Sequence, residues 1–263
     1  MLVHPNFDPV AVQLGPFAVH WYGLMYVLGF SGVYLYWKYR IKTFPTSVGS
    51  QWNTERASDL LFYGALGAVI GGRLGYVLFY KPAYYLSNPT EIVFINQGGM
   101  SFHGGLIGVL LVLYWFGRKI NLSFLQVGDF VGPAVPIGLF FGRMGNFINQ
   151  ELWGEPTDLP WGMVFSTADQ QPRHPSMLYE AVLEGLILFV VLHFLAQKSR
   201  PIGFLSGCFL IGYALSRMLV EFVRVPDAHL NYLFLNWVTM GHVLSLPMLL
   251  GGVFLLIRAG NKR

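Results

Sequence analysis

Polar residues are grouped in this chain rather than interleaved. Long apolar runs are separated by short polar connections, with neither the alternation of a half-buried strand nor the narrow stripe of a surface helix. Seven runs are long enough, at roughly 20 residues each, to cross the hydrocarbon core of a bilayer: 18–37, 58–80, 100–117, 127–147, 176–196, 202–222 and 236–258. In lipid the backbone must satisfy its own hydrogen bonds, so such runs are expected as helices. The pattern predicts an all-α integral membrane protein, a bundle of about seven transmembrane helices making a single polytopic domain over 1–263. The longest polar connection, 148–175, is expected to form a small extracytoplasmic head between spans four and five.

Composition agrees: 54% of the residues are apolar, 11% are charged, and the mean hydropathy is +0.50, outside the balance of a soluble domain. The net charge of +4 therefore matters by position, and carries no weight for nucleic-acid binding. Lys38, Arg40, Lys42, Arg56, Arg118, Lys119, Lys198, Arg200, Arg258, Lys262 and Arg263 fall on alternate connections, and so on one side; the other side has Lys81, Arg173 and Arg224. Basic residues stay in the cytoplasm, which predicts a cytoplasmic C-terminus and an outer N-terminus. Residues 1–16 lack Lys, Arg and a small-residue cleavage site, and read as a segment on the outer membrane surface rather than a signal peptide. Cys208 stands alone in an apolar run and does not report the redox compartment.

Within the spans, Gly67, Gly71 and Gly75 recur at intervals of four, a spacing that lets two helix backbones approach closely. Span four is interrupted by Pro133, Pro136, Gly138, Gly142 and Gly145, which suits either a wet cavity or a mere kink. Arg73, His103, Asp129, Arg143, Glu180, Glu184, Arg217 and Glu221 lie in or at the ends of apolar runs, where a charge needs a partner and faces the bundle interior. In RMLVEFVR, the residues Arg217, Glu221 and Arg224 share one helical face. They form either a self-neutralising pair, or a glutamate that orients Arg217 toward an anion with Arg224 at headgroup level.

Residues 142–157, GRMGNFINQELWGEPT, bring polarity to the end of span four. A continued helix would carry Arg143, Asn146 and Gln150 on one side. Two arginines at similar depth on different helices would suit a phosphate held partly in the bilayer, since guanidinium offers paired donors and keeps its charge. His103, in GGMSFHGGL, is the side chain that can accept and return a proton near neutral pH, although a lone interfacial histidine can equally be structural. No Cys/His or carboxylate cluster has metal-ligand spacing, so neither metal nor cofactor is expected.

GRMGNFINQELWG at 142–154 closely resembles the signature of bacterial phosphatidylglycerol:prolipoprotein diacylglyceryl transferases. The resemblance extends in order through HWYGLMYVLGF, SFHGG at 101–105, RHPSMLYE at 173–180 and YALSRMLVEFVRVPD at 213–227. It implies a transferase of lipoprotein biosynthesis in the bacterial inner membrane, which moves the diacylglyceryl group of phosphatidylglycerol to the lipobox cysteine of a preprolipoprotein and releases glycerol phosphate. By position it marks Tyr26, His103, Arg143, Asn146, Glu151, Gly154, Tyr213, Arg217 and Glu221. Sulfur attacks as thiolate, so His103 is the candidate base with Glu151 second. Arg143 and Arg217 would stabilise the departing phosphate, Glu221 would fix Arg217, and Asn146 would donate to the headgroup or phosphate. His103 could instead hold the headgroup. A transporter or lipid flippase is the alternative, and would be expected to carry polar groups through the midplane to both faces.

Overall fold

A computed structural model of the chain describes residues 2–95, 98–226, 233, 235 and 237–261. Its long helices, in chain order, are α1 (Trp21–Thr43), α2 (Thr54–Phe79), α3 (Phe102–Lys119), α4 (Phe124–Ile148), α5 (Ser176–Leu195), α6 (Phe204–Glu221) and α7 (Met240–Gly260). Among the described residues, α2, α4, α5, α6 and α7 are long and apolar enough to cross a membrane, which makes this a multi-pass helical membrane protein. Helices α1 and α3 cover the expected first and third runs, but tyrosine, tryptophan and terminal basic residues dilute their apolarity. The expected start of the last run, Asn236, lies outside the described residues, as do Asp227, Lys262 and Arg263.

The helix ends follow from local chemistry. Asn53 caps α2 by accepting from Arg56 N at 2.8 Å, Ser101 caps α3 by accepting from Gly104 N at 3.2 Å, and Ser123 with Gln126 forms a capping box on α4. Asp129 of α4 caps a different helix: its carboxylate accepts from Gly203 N at 2.6 Å and from the Ser206 N–H and hydroxyl at 2.8 Å each, at the start of α6. Helix α1 continues to Thr43 past the expected end of its run, because Arg40 turns inward. The guanidinium is 1% exposed, donates from Nη1 to Phe130 O at 2.9 Å and lies over the Phe130 ring. Around it Trp37, Trp52, Leu60, Phe116, Val127 and Phe130 form the hydrophobic core, with Trp52 stacked on Phe130 at 3.7 Å.

The small residues of α2 serve packing. A Cβ on Gly71 would meet Gly104 O and approach Gly108 Cα at 2.9 Å, so α2 and α3 touch backbone to backbone. The interruptions in α4 are also packing devices. A 3-10 turn at Gly132–Ala134 absorbs the missing donor of Pro133, both prolines are buried, and Gly145 admits a neighbour, since a Cβ there would meet the Tyr22 ring at 2.9 Å, whereas a Cβ on Gly138 or Gly142 would meet nothing within 4 Å.

Residues 148–175 do not stand alone. Strand β1 (Leu2–Val3) pairs in parallel with β4 (Met163–Val164), which pairs antiparallel with β5 (Pro172–Arg173); β2 (Val10–Leu14) and β3 (Phe17–His20) form a separate hairpin. The N-terminal segment is thus tied down rather than lying loose: buried His4 donates from Nε2 to Phe147 O at 2.9 Å, at the end of α4.

Arg73 of α2, 4% exposed, is a buried charge held by carbonyls rather than by a carboxylate. Its Nε donates to Ile92 O (2.8 Å), Nη1 to Gly98 O (2.6 Å) and Gly99 O (3.1 Å), and Nη2 to Glu91 O (2.8 Å) and Phe94 O (3.1 Å). Five donors in a fixed fork thereby shape the segment that leads into α3. Lysine has three donors, so Arg73→Lys is expected to leave at least two of these acceptors unpaired and to cost about 2 kcal/mol or more. A lowered thermal midpoint in detergent checks this, with an unchanged midpoint as the contrary result.

Candidate active site

Three arginines converge on one buried carboxylate. Glu180 Oε2 pairs with Arg143 Nε at 3.1 Å, and Glu180 Oε1 pairs with Arg224 Nη1 at 3.1 Å and with Arg217 Nη1. Glu184 Oε2 lies 3.5 Å from Arg143 Nη2, and Glu221 Oε2 lies 2.7 Å from Arg217 Nη2. Helix α4 supplies Arg143, α5 the glutamates 180 and 184, and α6 Arg217 and Glu221, with Arg224 just beyond its end. The π turn Ala181–Ile187 in α5 spans the interval between the two glutamates, and such turns are often found at functional sites. Nearby, Gly185 lets α4 in: a Cβ there would meet Phe140 Cβ at 2.7 Å.

Exposure within this network is graded. The side chains of Glu180 and Glu184 are 0% exposed, whereas those of Arg143, Arg217 and Arg224 keep 17%, 14% and 12%. The carboxylates lie behind and the guanidiniums in front. The ion pairs engage Arg143 through Nε and Nη2 and Arg224 through Nη1, which leaves Arg143 Nη1 and Arg224 Nη2 as donors for a ligand among the described residues. The sequence expectation paired Arg217 with Glu221 alone. The larger share of the network comes from Glu180, which had been noted as a buried charge but given no site role. Its signal was the spacing Glu180, Glu184 in an otherwise apolar run.

One turn beyond Arg143 on α4, Asn146 donates from Nδ2 to Glu151 Oε2 at 3.1 Å, and Asn149 donates to Glu151 Oε1 at 3.2 Å. The Glu151 N–H closes the loop on Asn146 O at 2.9 Å. Glu151 faces an open cleft of about 610 Å³ lined also by Pro9, His20, Tyr22 and Asn149. Tyr26 is exposed one turn along α1 from Tyr22, their rings 5.2 Å apart. Tyr213 stands one turn before Arg217 on α6, stacked with Phe209.

Other expected residues are placed differently. The helix ends at Ile148, so Gln150 does not continue the Arg143 face. With φ +56° it turns away, accepting from Ser166 N (2.8 Å) and Oγ (2.9 Å) and donating to Asn6 Oδ1 (3.0 Å). Gly154 acts through its backbone, with its N–H on His174 O at 2.8 Å and its O accepting from Arg173 Nη1 at 3.1 Å. A Cβ at Gly154 would strike Val223 O, so only glycine lets the connection cross the end of α6 beside Arg224. His103 is exposed in the first turn of α3, its ring against Phe102 at 5.6 Å. Among the described residues, no hydrogen bond or ion pair joins it to the arginines.

Fold and site together define a polytopic helical membrane protein with guanidinium groups backed by buried carboxylates, an arrangement suited to a phosphate at membrane depth. The chain belongs to the prolipoprotein diacylglyceryl transferase family, whose model matches residues 9–258. It is 56% identical to a phosphatidylglycerol–prolipoprotein diacylglyceryl transferase of Bordetella avium, covering all of this chain and 98% of the relative. It is 52% identical to the transferase of that name from Pseudomonas paraeruginosa, covering all of this chain and 97% of the relative. The chain is accordingly a transferase.

Arg173 organises the connection that closes over the site. It pairs with Asp169 through Nε–Oδ1 at 2.8 Å and Nη2–Oδ2 at 2.7 Å, and its guanidinium stacks 4.4 Å from the Trp153 ring. The hydrogen bonds from Arg173 hold the Asp169 carboxyl down at about 2. A depressed carboxylate pKa stabilises the folded form above the unfolded value near 3.9 and loses that contribution as pH falls through the folded one. Trp153 fluorescence, read as the difference from a Trp153→Phe variant, is expected to change between about pH 4 and pH 2, and Asp169→Asn to abolish that step. A step that persists in the asparagine variant would assign it to another group.

Proposed function

We propose that this chain transfers the sn-1,2-diacylglyceryl group of phosphatidylglycerol to the lipobox cysteine thiol of a preprolipoprotein, the first step of bacterial lipoprotein maturation. The substrate thiolate attacks the glyceryl carbon that carries the phosphate ester. A C–S bond forms, the C–O bond breaks, its electron pair stays on the phosphate oxygen, and glycerol phosphate departs. The observation that carries this reading is the set of three guanidiniums held in front of Glu180, Glu184 and Glu221, with donors left over for the phosphate. Charge developing on the leaving oxygen is stabilised by donors already oriented in a low-dielectric setting. Asn146, Tyr213 and the backbone turn at Gly154 complete the wall around the headgroup. Glu151 and Tyr26, beside the cleft, and His103, on α3, are the groups that meet the peptide thiol. His103 or Glu151 takes its proton, since the thiol is a poor nucleophile.

The arginines and glutamates of the site gather at one end of the bundle, late in α4, early in α5 and late in α6, while buried Arg40 and hydrogen-bonded Asp129 lie toward the other. That supports a site at one membrane face rather than a transport path through the midplane. Seven spans, with the N-terminus and 148–175 on the outer side of the inner membrane, account for the division of basic residues. The residues 148–175, joined by β1, then form the outer head. A reporter active only outside the cytoplasm should be active when fused within 148–175 and silent when fused after Arg263. Like behaviour of the two fusions would sink this topology.

The activity is tested by incubating purified protein with phosphatidylglycerol and a lipobox peptide, and weighing the peptide by mass spectrometry. A diacylglyceryl increment on cysteine is expected. Arg217→Lys keeps the charge but loses the fork that engages Glu180 and Glu221 at once, and should transfer on the order of a hundredfold more slowly while melting near the parent. Near-parental transfer by the lysine variant would reduce Arg217 to a structural charge.

A further inference from the structure

Glu221 has a second tie. Its Oε2 meets Arg217 at 2.7 Å, and its Oε1 accepts from Thr239 Oγ1 at 2.7 Å. Thr239 is 2% exposed and caps α7, the helix packed along α6. The cap leaves the threonine hydroxyl one choice. Thr239 N donates to His242 Nδ1 at 3.3 Å, and a backbone N–H can only donate, so Nδ1 is the accepting nitrogen and the ring proton sits on Nε2. The single hydroxyl hydrogen then has two acceptors, Glu221 Oε1 at 2.7 Å and His242 Nδ1 at 3.1 Å. The shorter, charge-assisted bond takes it.

The next turn of α7 completes a socket. A Cβ on Gly241 would run into the Glu221 carboxylate, meeting its Oε2 at 2.6 Å, so the carboxylate lies flat on the α7 backbone. Ser245 Oγ donates back to Gly241 O at 2.7 Å and steadies that turn. The carboxylate also lies at the N-terminus of a 21-residue helix, where the dipole favours negative charge. The His242 ring beside Thr239 packs edge-on to Phe222 and Trp237.

We infer that Thr239 is a positioning residue for transfer: it fixes the rotation of the Glu221 carboxylate, and through it the fork of Arg217. This rests on the proposed role of Arg217 at the leaving phosphate. Without the hydroxyl, Glu221 turns about its last torsion, and the guanidinium it holds shifts with it. Small misplacements of an oriented group are felt in the chemical step more than in binding.

The test uses the full chain in detergent with phosphatidylglycerol and a lipobox peptide, measuring kcat, KM for the lipid and the thermal midpoint. Thr239→Val keeps the shape of the side chain and deletes the donor; Thr239→Ser keeps the donor. Expected are a loss of about tenfold in kcat for the valine variant, with KM and midpoint near the parent, and recovery to within about twofold in the serine variant. Parental kcat in Thr239→Val overturns the inference. So does a loss that tracks a fallen midpoint and is not recovered by serine, which would make the threonine a helix cap alone. If the parent itself leaves the peptide unmodified while folded, the transferase reading of the site falls first; an active parent with an indifferent Thr239 removes only this inference.

Discussion

The carboxylate of Glu180 is the point on which this end of the molecule depends. It has no exposed surface, and it takes ion pairs from Arg143, Arg217 and Arg224. A desolvated carboxylate is tolerated only with close partners, and the partners here come from α4 on one side and from the end of α6 on the other. The same contacts therefore fix how α4, α5 and α6 meet and which way the guanidiniums face. Loss of Glu180 would leave three cations without their common anchor, so its effect cannot be confined to a single pair.

From that anchor the site is reached through short, rigid steps. Arg143 and Asn146 lie one turn apart on α4, and Asn146 reaches the Glu151 carboxylate at the cleft. Across the network, Arg217 leads through Glu221 to the first turn of α7. Asn146 thus links the arginine end of α4 to an open cleft, while the arginines rest on closed, buried carboxylates. His103 belongs to a different unit, the α2–α3 pair held backbone to backbone by glycines, with its approach shaped by Arg73.

The long helices were legible because a bilayer demands some twenty apolar residues in succession, a signal no local preference can override. The partners of the charges were not. Sequence spacing shows neighbours on one helix, such as Arg217 and Glu221, but Glu180 lies 37 residues from Arg217 and meets it only through the packing of α5 on α6. Gln150 was misplaced because a helix was extended past Ile148 into a left-handed turn, and polar residues that satisfy their own backbone give little warning of such an end. The strands were invisible for a similar reason: β1, β4 and β5 are two residues each, too short to show alternation. Arg40 counts among the basic residues of the first connection, yet it is buried against Phe130, since a long side chain near a helix end can turn either way.

The network is also an uneconomical way to hold helices together, and that bears on its purpose. Buried ion pairs often contribute little beyond well-packed apolar residues of the same volume. The chain has the cheaper device elsewhere: α2 and α3 associate through Gly67, Gly71, Gly75, Gly104 and Gly108, with no ion pair between the two helices among the described residues. Where stability alone is needed, small residues suffice. Six charged side chains at the junction of α4, α5 and α6 therefore need a reason other than cohesion, and the graded exposure supplies it. Here the glutamates are sealed and the arginines remain partly open. On the proposed reading, an anion arriving from the open side would meet positive groups whose orientation is already fixed from behind, with little reorganisation left for the moment at which charge moves to the phosphate.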